Sequence, residues 1–233
     1  MTGQQRPAIL QAPLHRSLRM YHQGLLLLSA LLFAGTCAAQ SYSPADISQW
    51  SERRFSEPTS YRLEQRGDIA LLRADCSNGQ ASARYQEQQI DLRKTPVLRW
   101  SWTISQPFSG LNERQREGDD YPVRLYVVKD GGLLPWRTLA VNYDWSSAQP
   151  VGTHWPNAYT ANAQMLAVSS GTPAGMTTLE RNVREDFQRL HGQTLDQIDG
   201  LAIMTDCDNS GQPVTGWYGS IEWLPVTSSS TDR

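Results

Sequence analysis

The sequence predicts an all-β fold, a jelly-roll-like antiparallel β-sandwich with one short α-helix at about residues 183–191. Three observations carry this. Short segments alternate apolar and polar residues at period two, clusters of Gly, Pro, Asn and Asp separate them, and one segment alone switches to helical spacing.

In chain order, residues 1–39 come first and stand apart from the fold. They carry Arg6, Arg16 and Arg19 with no acid, then the apolar run "LLLLSALLFA", then "GTCAA" before Gln40. A basic start, a short apolar stretch and small residues at a cut point make a secretory signal, with cleavage expected after Ala39 and a second start available at Met20. The apolar part is about ten residues, short of the roughly 20 that span a bilayer as a helix. Cleavage would remove three arginines and no acid, moving the net charge from −2 to −5 over the remaining 194 residues. That balance argues against nucleic acid as the main partner.

Residues 40–226 are expected to form a single sandwich of roughly eight to ten strands. "IALLRADC" puts Ala70, Leu72, Ala74 and Cys76 on one face, and "VLRWSWTI" does the same for Leu98, Trp100, Trp102 and Ile104. "YPVRLYVV" places Val123, Leu125 and Val127 inward, and "RTLAVNYDW" places Leu139, Val141, Tyr143 and Trp145 inward. "ANAQMLAV", "GLAIMTDC" and "TGWYGSIEWL" continue the series. The helix is predicted from "RNVREDFQRLHG": Asn182 at the N-cap, Glu185 three residues on, Val183, Phe187 and Leu190 on one stripe, and Gly192 just past the end. The tail, residues 227–233, has nothing to bury and is expected to be disordered. All eight tryptophans follow residue 39, which means either a large aromatic core or an aromatic binding surface.

Four blocks, "GDDYPVRLYVV", "NYDWSSAQPVGTHWPNAYTANAQMLAV", "RNVREDFQRLHG" and "IDGLAIMTDCDNSG", occur in this order and resemble the bacterial family catalogued as domain of unknown function 3047 (DUF3047). The likeness runs from about Trp50 to Pro225. It implies an exported protein without an assigned activity, and a jelly roll similar to carbohydrate-binding modules. It also implies that a cysteine at position 207 is unusual among relatives, which makes the cysteine pair a feature of this chain.

Beyond residue 39 the chain keeps only Cys76 and Cys207, each at the end of a strand and each on its inward face. An even number in an oxidising compartment points to a disulfide, with two buried thiols as the alternative. The flanking "TDCDNSG" resembles half a calcium loop through Asp206 and Asp208, but Trp217 stands where the bidentate Glu should be. A strand end followed by a turn is the stronger reading, with calcium at Asp206 and Asp208 a weak alternative.

Non-core parity selects a polar set: Arg99, Asp120, Arg124, Tyr126, Asn142, Asp144, Asn162, Gln164 and Asp206. Trp136, Trp145 and Trp155 are candidate stacking edges beside them. Planar polar groups fix hydroxyls while aromatic faces cover the apolar side of a sugar, although any antiparallel sheet also shows polar residues to water. For catalysis there is little: no G-x-S-x-G elbow, no glycine-rich phosphate loop and no H-E-x-x-H pair. Of the two remaining histidines, His191 ends the helix, where the last carbonyls await it, and His154 sits in a loop. No catalytic residue and no cofactor are expected. The leading function is therefore a noncatalytic, periplasmic or secreted binding module for a carbohydrate or other small polar ligand, free of stable membrane insertion after cleavage. A structural or protein-interaction sandwich of the cell envelope comes second, and a glycan-active hydrolase or lyase third.

Overall fold

The computed structural model describes residues 40–134 and 137–226. The expected signal segment (residues 1–39), the expected disordered tail (227–233) and Trp136 lie outside these residues. Two β-sheets stack face to face. The first comprises β1 (Gln40–Tyr42), β3 (Ser60–Arg66), β4 (Ile69–Cys76), β6 (Val97–Ile104), β11 (Thr177–Asn182) and β13 (Val214–Leu224). Its order is β11-β6-β13-β4-β3, with β1 also paired to β13. The second comprises β2 (Ser51–Arg54), β5 (Ala81–Asp91), β7 (Arg124–Lys129), β8 (Leu139–Ser146), β9 (His154–Pro156), β10 (Ala163–Ser170) and β12 (Gln197–Asp206). Its order is β2-β5-β12-β7-β8-β10-β9. All pairs are antiparallel except β8 with β10, which run parallel. Among the described residues thirteen strands thus stand where eight to ten were expected. The additions are short edge strands and β5, "ASARYQEQQID", whose polar composition hides its alternation.

The core lies between the sheets, where the inward residues of both interdigitate. Leu98, Trp100, Trp102, Tyr218, Ile221 and Trp223 meet Leu125, Val127, Val141, Tyr143, Leu166 and Ile203. Trp100 stacks on Tyr143 with ring centroids 5.2 Å apart. All seven described tryptophans are buried: Trp50, Trp100, Trp102, Trp145 and Trp223 in the main core, Trp155 in a small cluster on the outer face, and Trp217 under the Arg66 guanidinium. Truncating one of the central rings to alanine would cost about 3 to 5 kcal/mol.

Two helices close the ends. α1 (Pro44–Ser48) starts at a capping box between Ser43 and Asp46 and buries Ile47. α2 (Val183–His191) has the predicted bounds: the Asn182 side chain caps the Glu185 N–H, Val183 and Phe187 enter the core, and Gly192 stops the helix at φ 69°. His191 differs from expectation. Its Nε2 lies 2.9 Å from the Ala140 carbonyl oxygen in β8, because its ring stacks on Phe187 and is drawn over the sheet. Among the described residues no helix is long and apolar enough to cross a membrane.

A disulfide joins Cys76 and Cys207, with Cα atoms 6.0 Å apart. It links the end of β4 in one sheet to the residue after β12 in the other, as inward parity at two strand ends requires.

Candidate functional site

The outer face of the seven-stranded sheet is built in rungs, since antiparallel and parallel registers align residues side by side across strands. One rung reads Arg53, Ala83, Met204, Arg124, Asp144 and Ala167; the next reads Ser51, Tyr85, Ala202, Tyr126, Asn142, Met165 and Trp155. Six of the polar residues selected by parity meet here: Asp120, Arg124, Tyr126, Asn142, Asp144 and Asp206. Their face is as predicted, but their exposure is not. Asp120, Arg124, Asn142, Asp144 and Asp206 are all at most 4 % exposed.

The cause is the segment joining β6 to β7, residues 105–123, which lies across this half of the sheet. Its Glu113 is buried and accepts hydrogen bonds from the Ser146 hydroxyl and from the Ser147 N–H, while the Trp155 indole donates to the Glu113 carbonyl. The Tyr121 N–H donates to Asp206 Oδ1, and Tyr121, Trp155, Met165 and Ala167 form a small apolar cluster beneath. Proteins of this kind have two layers; here a third, local one is laid over half a sheet.

Within that cover, one guanidinium acts on Asp119, Asp144 and Asp206, while Glu113 and Asp120 are held by hydroxyl and backbone N–H groups. Arg124 donates to Asp206 and stands 3.9 Å from Asp119, with its guanidinium over the Tyr121 and Tyr126 rings. Burial pushes the Asp144 and Asp206 carboxyls well above the usual range, and Arg124 offsets only part of this. Burial likewise raises Asp119 and Glu113. Two methionine sulfurs serve as acceptors: Met165 takes the Asn142 amide N–H at 3.0 Å, and Met204 takes Arg124 at 3.3 Å. Arg124 Nε, Asn142 Oδ1 and Asp144 Oδ1 make no hydrogen bond among the described residues.

The other selected residues do not join this group. Arg99 projects from the outer face of the opposite sheet, paired to Glu180 at 2.6 Å and Glu222 at 3.5 Å. Trp145 is 3 % exposed in the core and donates to the Gly171 carbonyl, so it offers no stacking edge. Its inward parity, shared with Tyr143, explains this. Trp155 is also buried, under Glu113. Gln164 pairs with Val141 and so shares the parity of Leu166, opposite to Asn142; Met165 takes the outer position because Leu166 is in the core. Asn162 precedes β10, half-buried, with its carbonyl accepting the Ala140 N–H.

Asp120, Asp206 and Asp208 bring one carboxylate oxygen each within 4.8 Å of one another. The two buried members are already engaged. Asp120 accepts the Asn209 and Ser210 N–H groups, and Asp206 accepts the Tyr121 N–H and Arg124. The arrangement is a capped turn that ends at Gly211, φ 66°, in agreement with the turn reading.

Beyond the cover the same face is open. A groove of about 1020 Å³ lies over β5, β12 and β7. Tyr85 and Tyr126 stand on either side of Ala202, and Phe55, 57 % exposed, lies at one end under the Arg53 guanidinium. At the other end Lys129 pairs with Asp199 at 2.7 Å. Of the residues selected from sequence only Tyr126 lines it. Tyr85 and Phe55 were missed because β5 and β2 lack an apolar face, the alternation Ala81, Ala83, Tyr85 being the available signal; Ala202 was missed because a small apolar residue at an outer position of β12 carries no polar signal.

A family model described as a protein of unknown function, DUF3047, matches residues 48–222. No curated protein matches the chain. Among solved structures, a thermostable cellulase derived from Cel12A of Rhodothermus marinus is 11 % identical, covers 79 % of this chain and 100 % of its own, and has a TM-score of 0.43. A low-affinity xylan-binding module of Roseburia intestinalis is 12 % identical, with 81 % and 96 % covered and a TM-score of 0.36. The winged bean acidic lectin is 11 % identical, with 80 % and 99 % covered and a TM-score of 0.34.

Proposed function

We propose, for a chain that belongs to the DUF3047 family, that it is an exported, noncatalytic binding module whose groove over β5, β12 and β7 takes a carbohydrate or other polar ligand. The observation that carries this reading is the groove itself, with the Tyr85 and Tyr126 side chains flanking an open floor and amide and carboxylate groups at its margins. Rings can cover the apolar face of a sugar while planar polar groups hold its hydroxyls. The acids Asp119, Asp144 and Asp206 sit beneath the cover, so none of these three meets a ligand lying in the groove. The basic, apolar and small-residue succession in residues 1–39 and the disulfide support work in the periplasm or outside the cell.

The test is a glycan array and calorimetry on the whole chain. Tyr85→Ala and Tyr126→Ala are each expected to cost about 1 to 2 kcal/mol of binding, the range of a well-packed aromatic contact. Arg99→Ala, on the far sheet, is expected to change nothing. Binding that survives both tyrosine variants, or capture of an envelope protein with no glycan signal at all, would sink the reading.

A further inference from the structure

The shape and charge of the groove define its ligand more narrowly, on the premise that the groove is the binding site. On β12 the outward positions are Ala202 and Gly200, the smallest side chains available. Their neighbours are large: Tyr85 and Glu87 on β5, Tyr126 and Val128 on β7. A strand of small residues between two strands of large ones is a trough running along β12. Tyr85 and Tyr126 are two strand spacings apart, roughly 10 Å between backbones. After allowing for the thickness of each ring, that leaves the width of one sugar ring and excludes two chains side by side.

Its charge is the second observation. The lining carries Arg53 and Lys129 against Glu87, Asp130 and Asp199. Lys129 is held by Asp199, and Asp199 also accepts the Asp130 N–H and the Gln197 amide. Recognition of a polyanion needs a row of cations free to meet successive charges. Here acids outnumber bases, and one of the two bases is already paired. Hydroxyls, by contrast, are matched by the Tyr85 phenol and the Gln89 amide of β5, each of which can both donate and accept.

We infer that the trough holds a single chain of an uncharged glycan lying parallel to β12, with Ala202 and Gly200 beneath it and Tyr85 and Tyr126 at its sides. A uronate or sulfated polymer is excluded by the acids, and a branched or double chain by the width.

The test compares xylohexaose, cellohexaose and mannohexaose with hexagalacturonate by calorimetry on the whole chain, together with Ala202→Leu and, as a control outside the trough, Arg99→Ala. At least one neutral hexaose is expected to bind, hexagalacturonate to bind far more weakly, and raised salt to leave the neutral affinity unchanged. Ala202→Leu should weaken binding roughly tenfold or more by filling the floor. Arg99→Ala, on the outer face of the other sheet, should bind as the parent does, and Ala202→Leu should melt at the parental temperature, since Ala202 faces away from the core. Hexagalacturonate binding as tightly as the neutral sugars would overturn the ligand class and leave the binding module standing. Neutral binding untouched by Ala202→Leu would overturn the placement along β12. Binding of none of these sugars, nor of any glycan on the array, would remove both readings together.

Discussion

At the scale of the residue, Asp144 is a side chain whose chemistry departs far from its surface norm. It is fully buried, one oxygen accepts the Leu166 N–H, and the other makes no hydrogen bond among the described residues. The groups facing it are Arg124 from β7 and Glu113, Asp119 and Tyr121 from the covering segment, with Tyr126 beside them. Isolated buried carboxylates are costly enough that the neutral form is held instead. In the unfolded chain the same carboxyl ionises near pH 4, an ordinary value of about 3.9. Between that value and its raised native one, the folded state binds more protons, so stability is complete at low pH and falls as pH rises. Thermal melts across the range from about pH 4 upward should show a falling melting temperature in the parent and a flatter profile in Asp144→Asn, which preserves shape without a charge to gain. Parallel profiles for the two proteins would refute the assignment.

At the scale of the element, the turn after β12 decides the fate of the calcium motif. Asp208 is exposed, while the oxygens of Asp120 and Asp206 are turned toward backbone N–H groups and a guanidinium. An ion would have to displace these donors from a site where they also cap the turn and fix the cover. Addition of calcium, or of a chelator, is therefore expected to leave the melting temperature unchanged, and a clear rise with calcium that Asp208→Ala removes would reverse the reading. This element also shows how far the sequence could be read. Strand parity placed Cys207 inward and Asp206 outward correctly, because β12 alternates against a dry core. It could not show that Asp206 is covered, because residues 105–123 have no periodicity that announces where they lie. Polar β5 was invisible for the converse reason: with Ser82 and Arg84 inward at the end near β2, its two faces differ too little in hydropathy to be told apart. The site was thus half legible, Tyr126 being found on β7 and its partner Tyr85 missed on β5.

At the scale of the whole molecule, the cysteine pair ties the two layers together across a sequence separation of 131. Closing so long a loop in the unfolded chain makes the bond worth about 2 to 5 kcal/mol. Replacing both cysteines by alanine should lower the unfolding free energy by that amount, read from the denaturant midpoint and slope, while the sandwich itself persists, since the main core is a separate cluster. A midpoint that does not move would show that the link adds nothing to the packed sheets.

The strand order carries one more consequence. β12 lies between β5 and β7 in one sheet, and β13 between β6 and β4 in the other, so the last two strands of the chain are interior strands of both layers. A ribosome delivering this chain at about 5 to 20 residues per second exposes four strand edges that have no partner until the end. Neither layer can be completed by waiting, only by receiving its final strand. The fold is therefore assembled as a keystone arch is, in one late closure: a shortening that removes β13 takes the middle out of the first sheet, and one that also reaches β12 takes it out of both.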